Sequence, residues 1–206
     1  MAVVSIKNKL RRGNLLVGNE AFIPNSFESI ATATGTGSSN TITFSNIPQT
    51  YQHLQIRLLT KDSSSNNTGN STSDFLRING DTGSNYARHY LAGGGSTVIA
   101  SGQDASTNAG AGIFLGVHPG NASGITNMFG VSIVDIHDYA STTKNKTIRS
   151  FHGSNTNMST SFDTWVGLSS GVWLSTNAVT SITIYTTITN NYPTGCTFAL
   201  YGIRGA

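Results

Sequence analysis

Asp135, His137 and Asp138 form the sharpest group of potential metal ligands in the chain. In a strand, residues i and i+2 share a face, so Asp135 and His137 would point the same way and could seat a hard cation. A metal site needs three or more converging ligands, and no others are visible; a polar, solvated strand end accounts for the group better. Asp81 and His89 have the composition of a general-base pair, but Asp81 could instead tie its own turn through the backbone. No Gly-x-Ser-x-Gly elbow or other activated nucleophile accompanies them. Nine acidic residues offer many carboxylate pairs, so glycoside cleavage has no signal without geometry. Gly93-Gly94-Gly95 precedes no helix pattern and lacks the Lys of a phosphate loop. Tyr51, Tyr86, Tyr90, Tyr139, Trp165 and Trp173 could build a sugar platform or fill a core. The expectation is a chain that is not an enzyme, with no catalytic, cofactor-binding or metal residues.

The elements that would position these residues are strands. Phe27, Ser29 and Ala31 alternate with Glu28 and Ile30. Leu54, Ile56 and Leu58 alternate with polar neighbours and should face inward. Phe75–Ile78 leads into Asn79-Gly80, a pair suited to the positive φ values of a tight turn. Tyr86–Leu91, Ile113–Val117, Phe129–Ile136, Thr147–Phe151, Thr164–Leu168, Val172–Leu174, Val179–Thr187 and Thr197–Ile203 continue the series. About eleven short strands with no amphipathic helix predict an all-β fold, an antiparallel β-sandwich, jelly-roll-like, with an Ig-like sandwich as the alternative.

Charge divides the chain. Lys7, Lys9, Arg11 and Arg12 are four of its twelve basic residues, and no acid precedes Glu20. Residues 13–206 then hold eight basic and nine acidic residues, a balance of −1 against +3 for the whole. The first 25 residues read as an extended, basic N-terminal arm and residues 26–206 as the sandwich domain. Charged residues are only 10% of the chain, with Ser, Thr, Asn and Gly in their place, which suits turns and exposed strand faces. The body has no basic face spaced with aromatics, so direct nucleic-acid binding is not expected. No stretch has membrane-spanning length, and the first 20 residues have no secretory apolar run. The lone Cys196, within an apolar run, should pack as a small hydrophobe.

Several motifs carry a resemblance: Phe27-Glu28-Ser29-Ile30-Ala31-Thr32, Ile47 to Arg57, Asn79 to Tyr90, Asp135 to Ala140, Lys144 to Ser150, and Phe198 to Gly205. With them, residues 27–205 resemble small β-rich virion structural proteins of tailed phages. The resemblance implies a virion location and a role as a capsid-decoration (cement) or head-fibre protein. It implies no catalytic residue. Other virion proteins of capsid, neck or tail would be its partners, and a homo-oligomer, a trimer by analogy, its state. The arm would dock on the particle, with Val3, Val4, Ile6 and Leu10 as apolar anchors and Lys7, Lys9, Arg11 and Arg12 steering. The alternative is a tail-fibre or receptor-binding tip that recognises host surface glycans through the Asn/Ser/Thr-rich loops at 61–73, 101–111 and 153–163.

Overall fold

The computed structural model describes residues 27–63, 72–94, 97–105, 112–120, 126–156, 164–186 and 190–205. These residues form twelve strands and no helix. The strands are β1 (Phe27–Thr34), β2 (Thr41–Phe44), β3 (His53–Thr60), β4 (Thr72–Ile78), β5 (Tyr86–Gly94), β6 (Thr97–Gln103), β7 (Ile113–His118), β8 (Gly130–Ile136), β9 (Lys146–Ser154), β10 (Trp165–Trp173), β11 (Ile182–Thr186) and β12 (Thr197–Ile203). All pairings are antiparallel. An eight-stranded sheet, ordered β1-β12-β3-β8-β9-β10-β5-β6, stands opposite a four-stranded sheet, β2-β11-β4-β7. The fold is an antiparallel β-sandwich, as the strand spacing predicts.

The pairs nest from the chain ends inward. β1 pairs with β12 in the large sheet, β2 with β11 in the small, β3 with β8 in the large and β4 with β7 in the small. Two hairpins interrupt this nest, β5–β6 and β9–β10, and both extend the large sheet beyond β8. The core lies between Leu54, Ile56, Leu58, Val134, Ile136, Ile148, Phe198 and Leu200 of the large sheet and Phe44, Leu76, Ile78, Ile113, Leu115, Ile182 and Ile184 of the small. Leu54, Ile56 and Leu58 face inward as their alternation requires.

Three local details differ from the sequence reading. A β-bulge between Ser29 and Ala31 breaks the alternation of β1; Ile30, Ala31 and Ala33 consequently all pack on the core. Residues 165–173 form one strand rather than two, although Ser169-Ser170-Gly171 resembles a break. Gly171 is there for close approach: a Cβ would sit 2.5 Å from the Ile113 side chain across the sandwich. Residues 72–73 and 101–103, read as loop, belong to β4 and β6.

Past β8 the large sheet packs mainly on β7, the edge of the small sheet, which touches β9, β10 and β5. There a second cluster forms from Phe75, Phe114 and Tyr185, with Tyr90 and Val117 packed against it. Arg88 stacks over the Phe75 ring at 4.7 Å and Arg77 over Tyr185 at 4.3 Å.

The turn after β4 is tied to the core by Asp81. Asn79 and Gly80 both have positive φ (52° and 67°), and the Asp81 amide donates to the Ile78 carbonyl at 2.9 Å. The Asp81 carboxylate accepts from Gly83 N (2.8 Å), from Asn85 Nδ2 (2.9 Å to Oδ2) and from the buried Trp173 Nε1 (2.7 Å). Burial works to raise its pKa, but these hydrogen bonds outweigh it and hold the carboxyl below its ordinary value. Asp81→Ala leaves the indole N–H without its acceptor, so it should cost about 1–3 kcal/mol in denaturant unfolding, with Asp81→Asn milder.

Candidate functional site

The polar residues singled out in the sequence are taken up by structural contacts. Asp135 accepts from Gln55 Nε2 at 2.9 Å and faces Arg149 at 3.6 Å. Asp138 accepts from Lys144 Nζ at 2.6 Å, and its backbone N–H donates to His53 Nδ1 at 3.0 Å. The Lys144 contact, with the Lys144 and His53 charges, lowers the Asp138 pKa against a small opposing effect of burial. His137 stacks edge-on against His53. Among the described residues, no three His, Cys, Asp or Glu side chains are placed to hold a metal ion. Asp81 and His89 are not brought together: Asp81 ties its own turn, while His89 lies over Gly102 on the outer face of the large sheet. Tyr86, Tyr139, Trp165 and Trp173 are buried, so the six aromatics form no common exposed platform. Cys196 is buried; burial pushes its thiol up to about 11.

Sequence distance concealed a buried polar cluster. Asp74 on β4 accepts from Tyr192 Oη (2.6 Å) and Thr60 Oγ1 (2.7 Å), and His118 Nε2 of β7 lies 3.3 Å away, within ion-pair range though off the hydrogen-bond axis. Asp62 accepts from Thr72, and Lys61 donates to the Thr126 carbonyl. Burial lowers the pKa of His118, but Asp74, Asp62 and the Pro119 carbonyl together outweigh it, so the net shift is upward. Burial, with the Asp74 charge, raises that of Tyr192. His152, on β9, is the reverse case. It is buried with neither ring nitrogen hydrogen-bonded, and burial depresses it to about 4 despite the Asp74 charge.

The most extensive feature is the outer face of the large sheet. Strand register places Ile133, Phe151, Leu168, Leu91 and Ala100 side by side in one row. The adjacent row on the same face holds Val131, Gly153, Val166, Gly93 and Val98. The seven large side chains in these rows are 42–75% exposed. Beyond them a polar row crosses the same strands: Gln55, Asp135, Arg149, Ser170 and His89. On the β3 side the first row meets Arg57, which stacks over Phe27 and Tyr201, and the second meets Leu59. The pattern on β9 and β10 is inverted: Phe151, Val166 and Leu168 face solvent while Ser150, His152, Gly167 and Ser169 face inward.

Part of this signal was in the sequence. Phe129 to Ile136 reads as strongly apolar, and a strand apolar on both faces must be covered on both. Which strands would align Val131 and Ile133 with Phe151, Leu168 and Leu91 was not legible without register. The arm residues Val3, Val4, Ile6, Lys7, Lys9, Leu10, Arg11 and Arg12 lie outside the described residues, as does most of the three polar loops. The sequence matches no protein-family model, and no curated protein matches it significantly.

The two buried histidines give opposite pH dependences. His118 has a raised folded pKa, so its contribution is fully present below the unfolded value of 6.5 and lost as pH rises through the folded one. His152 has a lowered pKa, so its contribution is present above 6.5 and lost as pH falls toward about 4. In urea titrations, His118→Gln should cost about 3–5 kcal/mol near pH 6 and less at pH 9. His152→Phe should remove a loss of roughly 3 kcal/mol that the parent suffers between pH 6.5 and 4.

Proposed function

We propose that the chain is a structural subunit of a phage particle, a capsid-decoration or head-fibre protein. Copies associate through the outer face of the large sheet, and the N-terminal arm anchors them to neighbouring virion proteins. The observation that carries the self-association is the apolar double row on that face. Its seven side chains present on the order of 600 Å² of apolar surface, at the upper end of what a monomer exposes. A standard interface takes about 800 Å² from each partner, so this face with its rim supplies one side. It bears no charged side chain inside the two rows apart from Arg57 at the border, so its burial carries little desolvation cost.

Three further points support the particle reading. The pairs nest and alternate between the two sheets, with two inserted hairpins, which supports a jelly-roll-like reading; jelly rolls build many viral shells and also lectins. The motifs of residues 27–205 resemble phage virion proteins. The basic segment before residue 13, set beside a body of charge −1, has the composition of a docking arm. Four of the six aromatic residues that a glycan platform would use, Tyr86, Tyr139, Trp165 and Trp173, are buried, which favours assembly over a sugar-recognising tip.

Sedimentation of the purified chain should show a discrete oligomer, and Phe151→Glu with Leu168→Glu should yield a folded monomer; a parent that stays monomeric at high concentration overturns the self-association. Deleting residues 2–20 should leave folding and oligomer intact but abolish incorporation into particles; unchanged incorporation overturns the anchoring role.

A further inference from the structure

A cavity of about 150 Å³ opens where the inserted hairpins pass the edge of the small sheet. Its apolar wall is built by Tyr90, Ala92, Ile99, Phe114, Val117 and Trp165, and His152 and Ser73 add polar groups. None of these side chains is a permanent charge. Register sets His152, Gly167, Ala92 and Ile99 in one row across the inner face. Gly167 is what lets the imidazole lie over β10: a Cβ there would be 2.5 Å from His152 Nε2 and 3.0 Å from Ala92 Cβ. On the opposite sheet, Gly116 clears the other side, since its Cβ would sit 2.5 Å from His152 Cβ. The ring is thus held between two bare glycines, edge-on to Phe114 at 5.4 Å. It is 1% exposed, with neither nitrogen paired to protein.

A neutral imidazole offers one donor and one acceptor, and leaving both unmet in an apolar setting is costly. The cavity has room for about five waters, each of which needs two to four polar partners; its mostly carbon wall, with His152 and Ser73 as its chief polar groups, offers too few for that many. An apolar cavity of about this volume accepts a benzene-sized molecule.

We propose that this cavity binds a small, uncharged aromatic molecule bearing a single hydroxyl or N–H group, with His152 as its hydrogen-bonding partner and Trp165, Phe114 and Tyr90 as its walls. The site is independent of the assembly face, because its residues point into the sandwich.

Phenol, toluene and benzoate serve as probes of the full chain, followed by the ring-nitrogen resonances of His152, which are assigned by their loss in His152→Phe. Phenol should shift these resonances saturably, with a Kd of roughly millimolar order for so small a ligand. Benzoate should not shift them. Ala92→Leu, which fills the cavity, should abolish the shift. His152→Phe should weaken phenol at least about tenfold, the loss of one buried hydrogen bond, while toluene binding, followed by saturation-transfer NMR, is retained. The proposal is overturned if phenol leaves the His152 nitrogens unmoved at about ten times that Kd, meaning solvent alone occupies the cavity. It is also overturned if benzoate shifts them as strongly, or if His152→Phe binds phenol unchanged. Should Ala92→Leu fail to fold, the parent titration and His152→Phe decide the question.

Discussion

Eight strands face four, and the rest of the molecule follows from that mismatch. The small sheet, β2-β11-β4-β7, covers β1, β12, β3 and β8, and the aliphatic core lies in that overlap. The hairpins β9–β10 and β5–β6 extend the large sheet past β8 and pack chiefly against the edge strand β7. One strand cannot cover the inner faces of four. The chain responds by closing the distance with small residues: Gly171 against Ile113, Gly167 and Gly116 around His152. Where small residues alone do not bring the layers together, aromatic rings from both sheets span the gap, with Phe114 against Tyr90 and His152. The cavity is the remainder of that fit.

At that same end of the sandwich the interior turns polar. Asp74 sits near the start of β4 and His118 at the end of β7, and Thr60, Asp62 and Tyr192 come from segments that enter or leave the sheets nearby. A buried carboxylate is tolerated when its lone pairs are filled, and Asp74 receives two hydroxyl donors in addition to the imidazole. Its charge works to raise the His118 pKa. Its weaker influence on His152 does not overcome the desolvation of that ring. One carboxylate thus faces two imidazoles whose pKa values move in opposite directions, separated by how completely each is paired.

The sandwich was legible because most strands alternate or are short and bounded by turn residues. Leu54-x-Ile56-x-Leu58 announced its own face, and Asn79-Gly80 its own turn. What was not legible depends on register. Ser169-Ser170-Gly171 looks like a break until Ile113 is seen lying against Gly171. Asp74, His118 and Tyr192 are scattered along the chain, and no local pattern marks them as partners. The Asp135–Asp138 group drew attention because its members are adjacent in sequence, yet they do not converge on one point: Asp135 turns to Gln55 and Arg149, His137 to His53, and Asp138 to Lys144 and His53. The motif residues that carry the family resemblance prove to be ties between segments. Lys146 is buried with its ammonium on the Lys144 and Thr176 carbonyls, and Tyr139 reaches the Pro48 carbonyl.

The inverted strands bear most directly on what the chain does. A two-layer sandwich normally turns its apolar residues inward and its small polar ones outward. On β9 and β10 the order is reversed for Phe151, Val166 and Leu168 against Ser150, His152, Gly167 and Ser169. Close approach to β7 explains the small residues inside, but it does not require large apolar ones outside. Those gain their free energy only when a further layer excludes water from them, which is what the proposed self-association would supply. A flat apolar face also invites indiscriminate stacking, and a closed symmetric assembly avoids that by using the patch up. The polar row of Gln55, Asp135, Arg149, Ser170 and His89 runs along one border only. In the proposed assembly it would set where a second copy stops, because sliding the apolar rows across it would strip water from the Asp135–Arg149 pair with no new partner for either charge.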